Sequence, residues 1–399
     1  MDLFETTRHE ALIGEEWSEN AVLRTIEDIA QAAHSRFDRQ TLWSIHPLDK
    51  FNAAQTKPLK MLYFGAAGVI WALDYLNRFG ATTAKADYST TLKDMASKNR
   101  GEMALSNRDA ASYWMGDVGI QLVQWRVSPS DVVADAIYRH VEFNIGNPTR
   151  EFMWGSPGTM LVALFMREFT GENRWKEVYL QAVRQLLDEL RKNDKHGCYI
   201  WTQDLYGRSS TYLGAGHGLA ANIFSIARGR EFLDRQTLDL VLSRTVETLV
   251  RTAAVDRGCA NWPPELGGAK FLVQHCHGAP GIVNCLAELP PGTNTAIDRL
   301  LIQGGELTWQ AGPLTKGSNL CHGTAGNGYA FLKLYKRTGD SMWLDRARAF
   351  AMHAIQQYQR HAKQYGQLRY SLWTGDLGLA IYLWDCINGK PFFPTMDIF

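Results

Sequence analysis

A short phrase, Gly-x-x-Gly, returns along the whole of this chain, and any fold must accommodate every copy. It spans Gly65–Gly68, Gly116–Gly119, Gly155–Gly158, Gly278–Gly281, Gly323–Gly326 and Gly375–Gly378. A further copy, His217-Gly218-Leu219-Ala220-Ala221, has Ala221 in the place of the second glycine, which brings the number to seven. The spacing is uneven, about 40 to 60 residues, as repeats with loops of variable length produce. Each copy leads into an apolar stretch, such as GVIWALDYL, GTMLVALFM or GLAIYLWDC. Longer charged segments lie between them, among them SENAVLRTIEDIAQAAHSRF and SMWLDRARAFAMHAIQQYQRHA, with apolar residues recurring at three and four. That period marks helices with one buried face, and the short stretches, apolar nearly all round, read as helices buried on every side. Seven amphipathic outer helices alternating with seven apolar inner ones predict an all-α fold, an α/α toroid built of seven helical hairpins. Length alone would suggest two or three domains, but the repeat predicts one, spanning residues 1–399. The glycines are expected where inner helices start close together and a Cβ would clash, with helix N-termini directing free N–H groups into the mouth.

Composition removes several function classes. A net charge of +1 argues against a general nucleic-acid or anionic-membrane binder. The start, MDLFETTRHEALIGEEW, has no basic region followed by an apolar run, and no stretch is long and apolar enough to span a bilayer, so a cytoplasmic protein is expected. The six cysteines, at 198, 259, 276, 285, 321 and 386, form no compact disulfide framework.

Two of the repeats carry chemistry. Cys276-His277-Gly278-Ala279-Pro280-Gly281 and Cys321-His322-Gly323-Thr324-Ala325-Gly326 both read Cys-His-Gly-x-x-Gly. Thiolate and imidazole are donors that zinc prefers, so these cysteines favour metal over disulfide.

The seven glycine turns, the HGLA copy, CHGAPG and LCHGTAGNGYAFLKLY together resemble the lanthionine synthetase C-like family, over nearly the whole chain. That resemblance implies an α/α toroid with one zinc at its centre. Its members include bacterial cyclases that close thioether rings in lanthipeptides, and eukaryotic proteins that bind glutathione and add it to dehydroamino acids. Carried over by position, the zinc ligands would be Cys276, Cys321 and His322, leaving one coordination position open, as in catalytic rather than structural zinc sites. That position would take a substrate thiol and lower its pKa. The thiolate would attack the β-carbon of dehydroalanine or dehydrobutyrine in a peptide. His217 matches the family's active-site acid/base, and imidazole titrates in the right range for it. His277 would be a second acid/base or an outer-shell group, His275 an outer-shell or packing residue, and Glu151 a carboxylate that orients His217. Asp117 and Asp376, inside their turns, are expected to cap helices.

Lys316 matches a lysine that contacts a glutathione carboxylate in the eukaryotic branch. Arg369 is a looser second candidate and Arg8 a looser third. The aromatic tail PFFPTMDIF is expected to tuck against the barrel. The local match is to the glutathione-adding branch, but the zinc chemistry belongs to both, so the thiol is either a peptide cysteine or glutathione. Three other readings stand beside this one. A protein prenyltransferase-like toroid also activates a thiol with zinc, but its ligand set includes an aspartate. A carbohydrate-active toroid needs paired carboxylates in its mouth. A non-catalytic glutathione- or peptide-binding scaffold would use zinc only to hold the barrel.

Overall fold

The inner ring consists of Ala66–Arg78, Asp117–Val127, Ser156–Thr170, Leu219–Arg228, Ala279–Leu286, Thr324–Thr338 and Asp376–Asn388 in the computed structural model, which describes residues 2–52, 55–292 and 294–399. The outer ring consists of Glu19–Ser35, the broken pair Ser89–Lys93 and Met95–Met103, Asp131–Asn144, Asn173–Asp188, Arg235–Thr252, Thr295–Ala311 and Ser341–Tyr365. The first outer helix packs on the last inner helix, which packs in turn on the first inner helix, and this closes the toroid. Three short antiparallel hairpins, which helical periodicity does not signal, interrupt the pattern at 191–200, 203–210 and 254–261.

Patterning explains the two layers. In Asn173–Asp188 the buried residues are Trp175, Val178, Tyr179, Ala182, Val183 and Leu186, a single stripe at helical spacing. In Ala66–Arg78 nearly every residue through Leu76 is buried, because the helix has neighbours on all sides. Outer helices are capped by side chains, such as Ser18, Ser130, Asp234, Asn294 and Asp340.

Inner helices start differently. Each is preceded by a glycine, and in four of them the first amide bonds backwards to the turn that leads into it, while in the fifth unit Ala279 N–H donates to Asn261 Oδ1 (2.8 Å). Ala66 N–H donates to Leu59 O (3.0 Å), Leu219 to Tyr212 O (3.1 Å), Thr324 to Gly317 O (2.9 Å) and Asp376 to Arg369 O (2.9 Å). In each pair the acceptor lies seven residues upstream (66 to 59, 324 to 317). In those four units the N–H groups expected to be free in the mouth are therefore taken by the chain's own carbonyls. The second glycine is required for the same reason. A Cβ at Gly326 would lie 1.7 Å from Leu320 O and 3.2 Å from the neighbouring unit's His275 Cβ. The clash is first with the unit's own turn and only then with the next helix. Asp117 and Asp376 do not cap their helices. Asp117 binds Arg100 and Asn99, and Asp376 accepts the Arg369 amide.

The turns are also tied to one another. Gly216 N–H donates to Cys276 O (2.9 Å), Cys276 to Cys321 O (3.1 Å), Cys321 to Trp373 O (2.9 Å), Trp373 to Tyr63 O (3.2 Å) and Tyr63 to Trp114 O (3.1 Å). Ser112 Oγ extends this belt to Met153 O (2.7 Å). The tail fills the barrel beneath. The Phe393 ring stacks on His275 and Trp373, and Thr395 accepts from Trp373 Nε1 (3.1 Å) and from the Tyr113 hydroxyl (2.9 Å). Asp397 takes the buried Lys333 ammonium (2.7 Å).

Candidate metal centre and active site

The residue before each inner-helix glycine takes the same place in its unit, at the end of the barrel where the inner helices begin. Around the ring these residues are Phe64, Met115, Trp154, His217, His277, His322 and Thr374. One position further back stand Tyr63, Trp114, Met153, Gly216, Cys276, Cys321 and Trp373. The belt of backbone hydrogen bonds thus brings the fifth and sixth units side by side, and their cysteines with them.

Cys276 Sγ, Cys321 Sγ and a ring nitrogen of His322 lie within 4.8 Å of one another. Gln274 Nε2 donates to Cys276 Sγ (3.0 Å), and Arg8 holds that amide through Gln274 Oε1 (3.2 Å). Tyr63 hydrogen-bonds Cys321 from the first unit. The two thiols shift in opposite directions. The bond from Cys321 pushes the Cys276 thiol well below its usual value, against burial and with help from His277 and His322. The same bond, with burial, pushes Cys321 up. Two soft sulfur donors and an imidazole this close match the ligand set of a zinc ion. The residues present fit that ion.

His217 stands beside this cluster. Its Nδ1 bonds Glu151 Oε2 (2.7 Å), a carboxylate with 0% exposure that also accepts the Met153 amide (2.9 Å) and the Trp154 amide (2.6 Å). This contact spans the third and fourth units, where the backbone belt has its gap. Burial acts to lower the His217 pKa, but the hydrogen bond and charge of Glu151, with Cys276, outweigh it and leave the pKa raised. His277, whose ring centre is 6.2 Å away, is shifted the opposite way by burial. The two neighbouring imidazoles are thus biased in opposite directions, His217 toward its charged form and His277 toward its neutral form. Tyr212 packs against both rings, at 5.7 and 5.6 Å, and Tyr206 meets His217 edge-on at 5.8 Å.

Lys316 is exposed, and its charge acts on both Cys321 and His277. Arg369 is not available in the same way. Its guanidinium grips Asp49, which Ser371 and Thr374 also bind, so it braces the seventh turn. Arg8 reaches the cluster only through Gln274. His275 is buried, accepts from Asn284 (3.0 Å) and stacks on Phe393, which makes it a packing residue. Sequence reasoning missed Tyr63, Tyr206, Tyr212 and Gln274. Tyr63 occupies the position of the two cysteines in its own unit, a signal that aligning the repeats carries. The tyrosines 206 and 212 sit on or beside a hairpin that no helical period announces.

Comparison with known proteins agrees with this architecture. The pattern of the family described as lanthionine synthetase C-like protein matches residues 53–398. The chain is 29% identical over 261 residues to glutathione S-transferase LANCL1 of Danio rerio, covering 62% of each. It is 28% identical over 254 residues to LanC-like protein GCL1 of Arabidopsis thaliana, covering 60% of this chain and 55% of that one. The matched stretch thus spans less than two thirds of either relative. Nisin cyclase shares the fold, with a TM-score of 0.63 at 15% identity over 92% of this chain and 94% of that one.

Proposed function

The chain belongs to the lanthionine synthetase C-like family, and from that premise we propose that it is a zinc-dependent enzyme joining a thiol to dehydroalanine or dehydrobutyrine in a peptide, forming a thioether. One observation carries the reading: Cys276, Cys321 and His322 share a rim with a His217–Glu151 pair whose charge is held inside the protein. Zinc held by the three ligands would act as a Lewis acid, keeping a substrate thiol deprotonated near neutral pH.

The protein's own residues do the rest. The thiolate pair forms the bond to the β-carbon, the double-bond pair moves toward the carbonyl, and the enolate must then gain a proton at the α-carbon. Glu151 occupies Nδ1 of His217, so Nε2 is the nitrogen left to deliver that proton. His277, which burial biases toward its neutral form, takes up the proton that the thiol gives up on ionising, which balances the one His217 delivers. Burial of Glu151 with three donors fixes the imidazole without a search through rotamers.

The thiol is glutathione or a cysteine of the acceptor peptide. Lys316, an exposed cation beside Cys321, and the likeness to a glutathione S-transferase favour glutathione. The test is a peptide carrying both dehydroalanine and a free cysteine, incubated with zinc-loaded protein and glutathione and read by mass spectrometry after alkylation. A gain of one glutathione, absent for Cys321→Ala, gives the transferase. Loss of the alkylatable thiol without gain of mass gives the cyclase. Absence of both products refutes the reaction and leaves a zinc-stabilised binding scaffold. Among the described residues, no helix is long and apolar enough to cross a membrane.

A further inference from the structure

The rim is divided. The fourth, fifth and sixth units present His217, His277 and His322, with Lys316 leading into the sixth turn. The first and third present Phe64 and Trp154, and between them the second carries Met115, which is buried. Phe64 and Trp154 are only partly buried, and Phe51, 50% exposed, sits edge-on to Phe64 at 5.5 Å. Large apolar rings left open beside a reaction centre are the informative kind of exposure.

Tyr206 completes this wall. It lies in the two-residue turn of the hairpin joining Gln203–Leu205 to Arg208–Ser210, with φ of 55° at Tyr206 and 74° at Gly207. Such a turn wants asparagine or glycine at its first position, and a tyrosine there is held against its backbone preference. Its hydroxyl accepts from Trp154 Nε1 (3.1 Å), its ring edge meets His217, and yet the residue is 66% exposed. The hairpin is a fixed roof. Leu213 N–H bonds Pro264 O (2.9 Å), Leu266 N–H bonds Thr211 O (2.9 Å) and Arg208 pairs with Glu265 (2.7 Å). A strained aromatic kept at a rim, on a rigid mount, in contact with the proton donor, points to a role in binding.

The order of units around the ring then fixes what binds. On the reading proposed above, the acceptor carbon lies between the thiol at units five and six and His217 at unit four. The chain on one side of that carbon must run onto unit three. We propose that Phe64 and Trp154, roofed by Tyr206, form the acceptor-peptide subsite, and that it selects peptides with a large apolar, above all aromatic, side chain flanking the dehydroamino acid. The cation at Lys316 lies across the rim, so the thiol donor and the acceptor enter from different sides.

The probes are saturated heptapeptides with alanine in place of dehydroalanine and either phenylalanine or glycine flanking it, titrated by calorimetry against the full chain. Phenylalanine is expected to tighten binding about tenfold on at least one side of the alanine. Tyr206→Gly, which removes the ring and relieves the turn, should bring the two peptides close to parity while Tm stays the same or rises. Trp154→Leu should weaken the preference as well. Equal or undetectable binding of both peptides by the unaltered protein, or a preference that survives Tyr206→Gly, would overturn the subsite. A protein that keeps the preference yet adds no thiol to the matching dehydroalanine peptide refutes the proposed reaction and leaves the subsite standing. Thiol addition with no aromatic preference does the reverse.

Discussion

Glu151→Gln tests the assignment of His217 most directly. The carboxylate accepts three N–H donors through two oxygens, with Oε2 serving both His217 and Met153 and Oε1 serving Trp154. Glutamine can keep its oxygen toward His217 and Met153. Its NH2 group then faces the Trp154 amide, and a buried donor loses its acceptor, at a cost of about 1–3 kcal/mol. A drop of a few degrees in Tm is the expected sign. The larger effect is electrostatic. Glu151 raises the His217 pKa in the folded state, so the substitution lowers it. A raised histidine stabilises the fold fully below the unfolded value, about 6.5, and that contribution fades as pH rises through the folded value. The variant should therefore lose most stability, relative to the parent, on the acid side. For catalysis the proton donor must be charged, so the alkaline limb of kcat should move to lower pH. The rate at neutral pH should fall about 10²-fold, the lower part of what a positioned acid contributes. The assay is kcat against pH with a dehydroalanine peptide, alongside bound zinc by atomic absorption. If the limb stays in place and kcat changes less than about twofold, with zinc retained, His217 is not the donor this geometry makes it.

Cys276→Ala and Cys321→Ala should each abolish stoichiometric zinc and activity while far-ultraviolet circular dichroism stays helical, because the belt and the helices do not depend on the metal; collapse of the helical signal would make the metal structural. Gly326→Ala puts a Cβ 1.7 Å from Leu320 O and should remove zinc binding and destabilise by about 3 kcal/mol or more, whereas Ala221→Gly, at the matching place in the fourth unit, should cost about 1 kcal/mol; equal effects in thermal unfolding would contradict the turn's role. Asp397→Asn leaves the ammonium of Lys333 with Glu288 alone and should cost about 3 kcal/mol by denaturant unfolding; a neutral result would mean the tail is not latched there.

Much of this architecture is legible in the chain because the repeat is written in glycines. The inner helices, the unit boundaries and the residues that end up as neighbours on the rim all follow from aligning seven phrases. The same alignment sets His217 level with the two Cys-His turns. What it does not contain depends on contacts between units and on elements outside the repeat. Glu151 and His217 are 66 residues apart; the family resemblance suggests the pair, but only the packing of the third unit on the fourth brings them together. Arg369 reads as a spare cation until Asp49, 320 residues away, is found in its grip. In four units the N–H groups expected to be free are filled by the turn just upstream, a local geometry that a propensity argument does not contain.

The hydrogen-bonded belt through Gly216, Cys276, Cys321, Trp373, Tyr63 and Trp114 has a bearing on how such a protein can change. It sets the gap between Cys276 and Cys321 by the girth of the barrel, like a hoop around staves, and not by the roughly forty residues of chain between them. Loops over the rim can then lengthen, shorten or exchange their aromatic residues while the metal donors keep their spacing. Adding or removing a whole unit would have the opposite effect, since a hoop of another circumference would carry every donor with it.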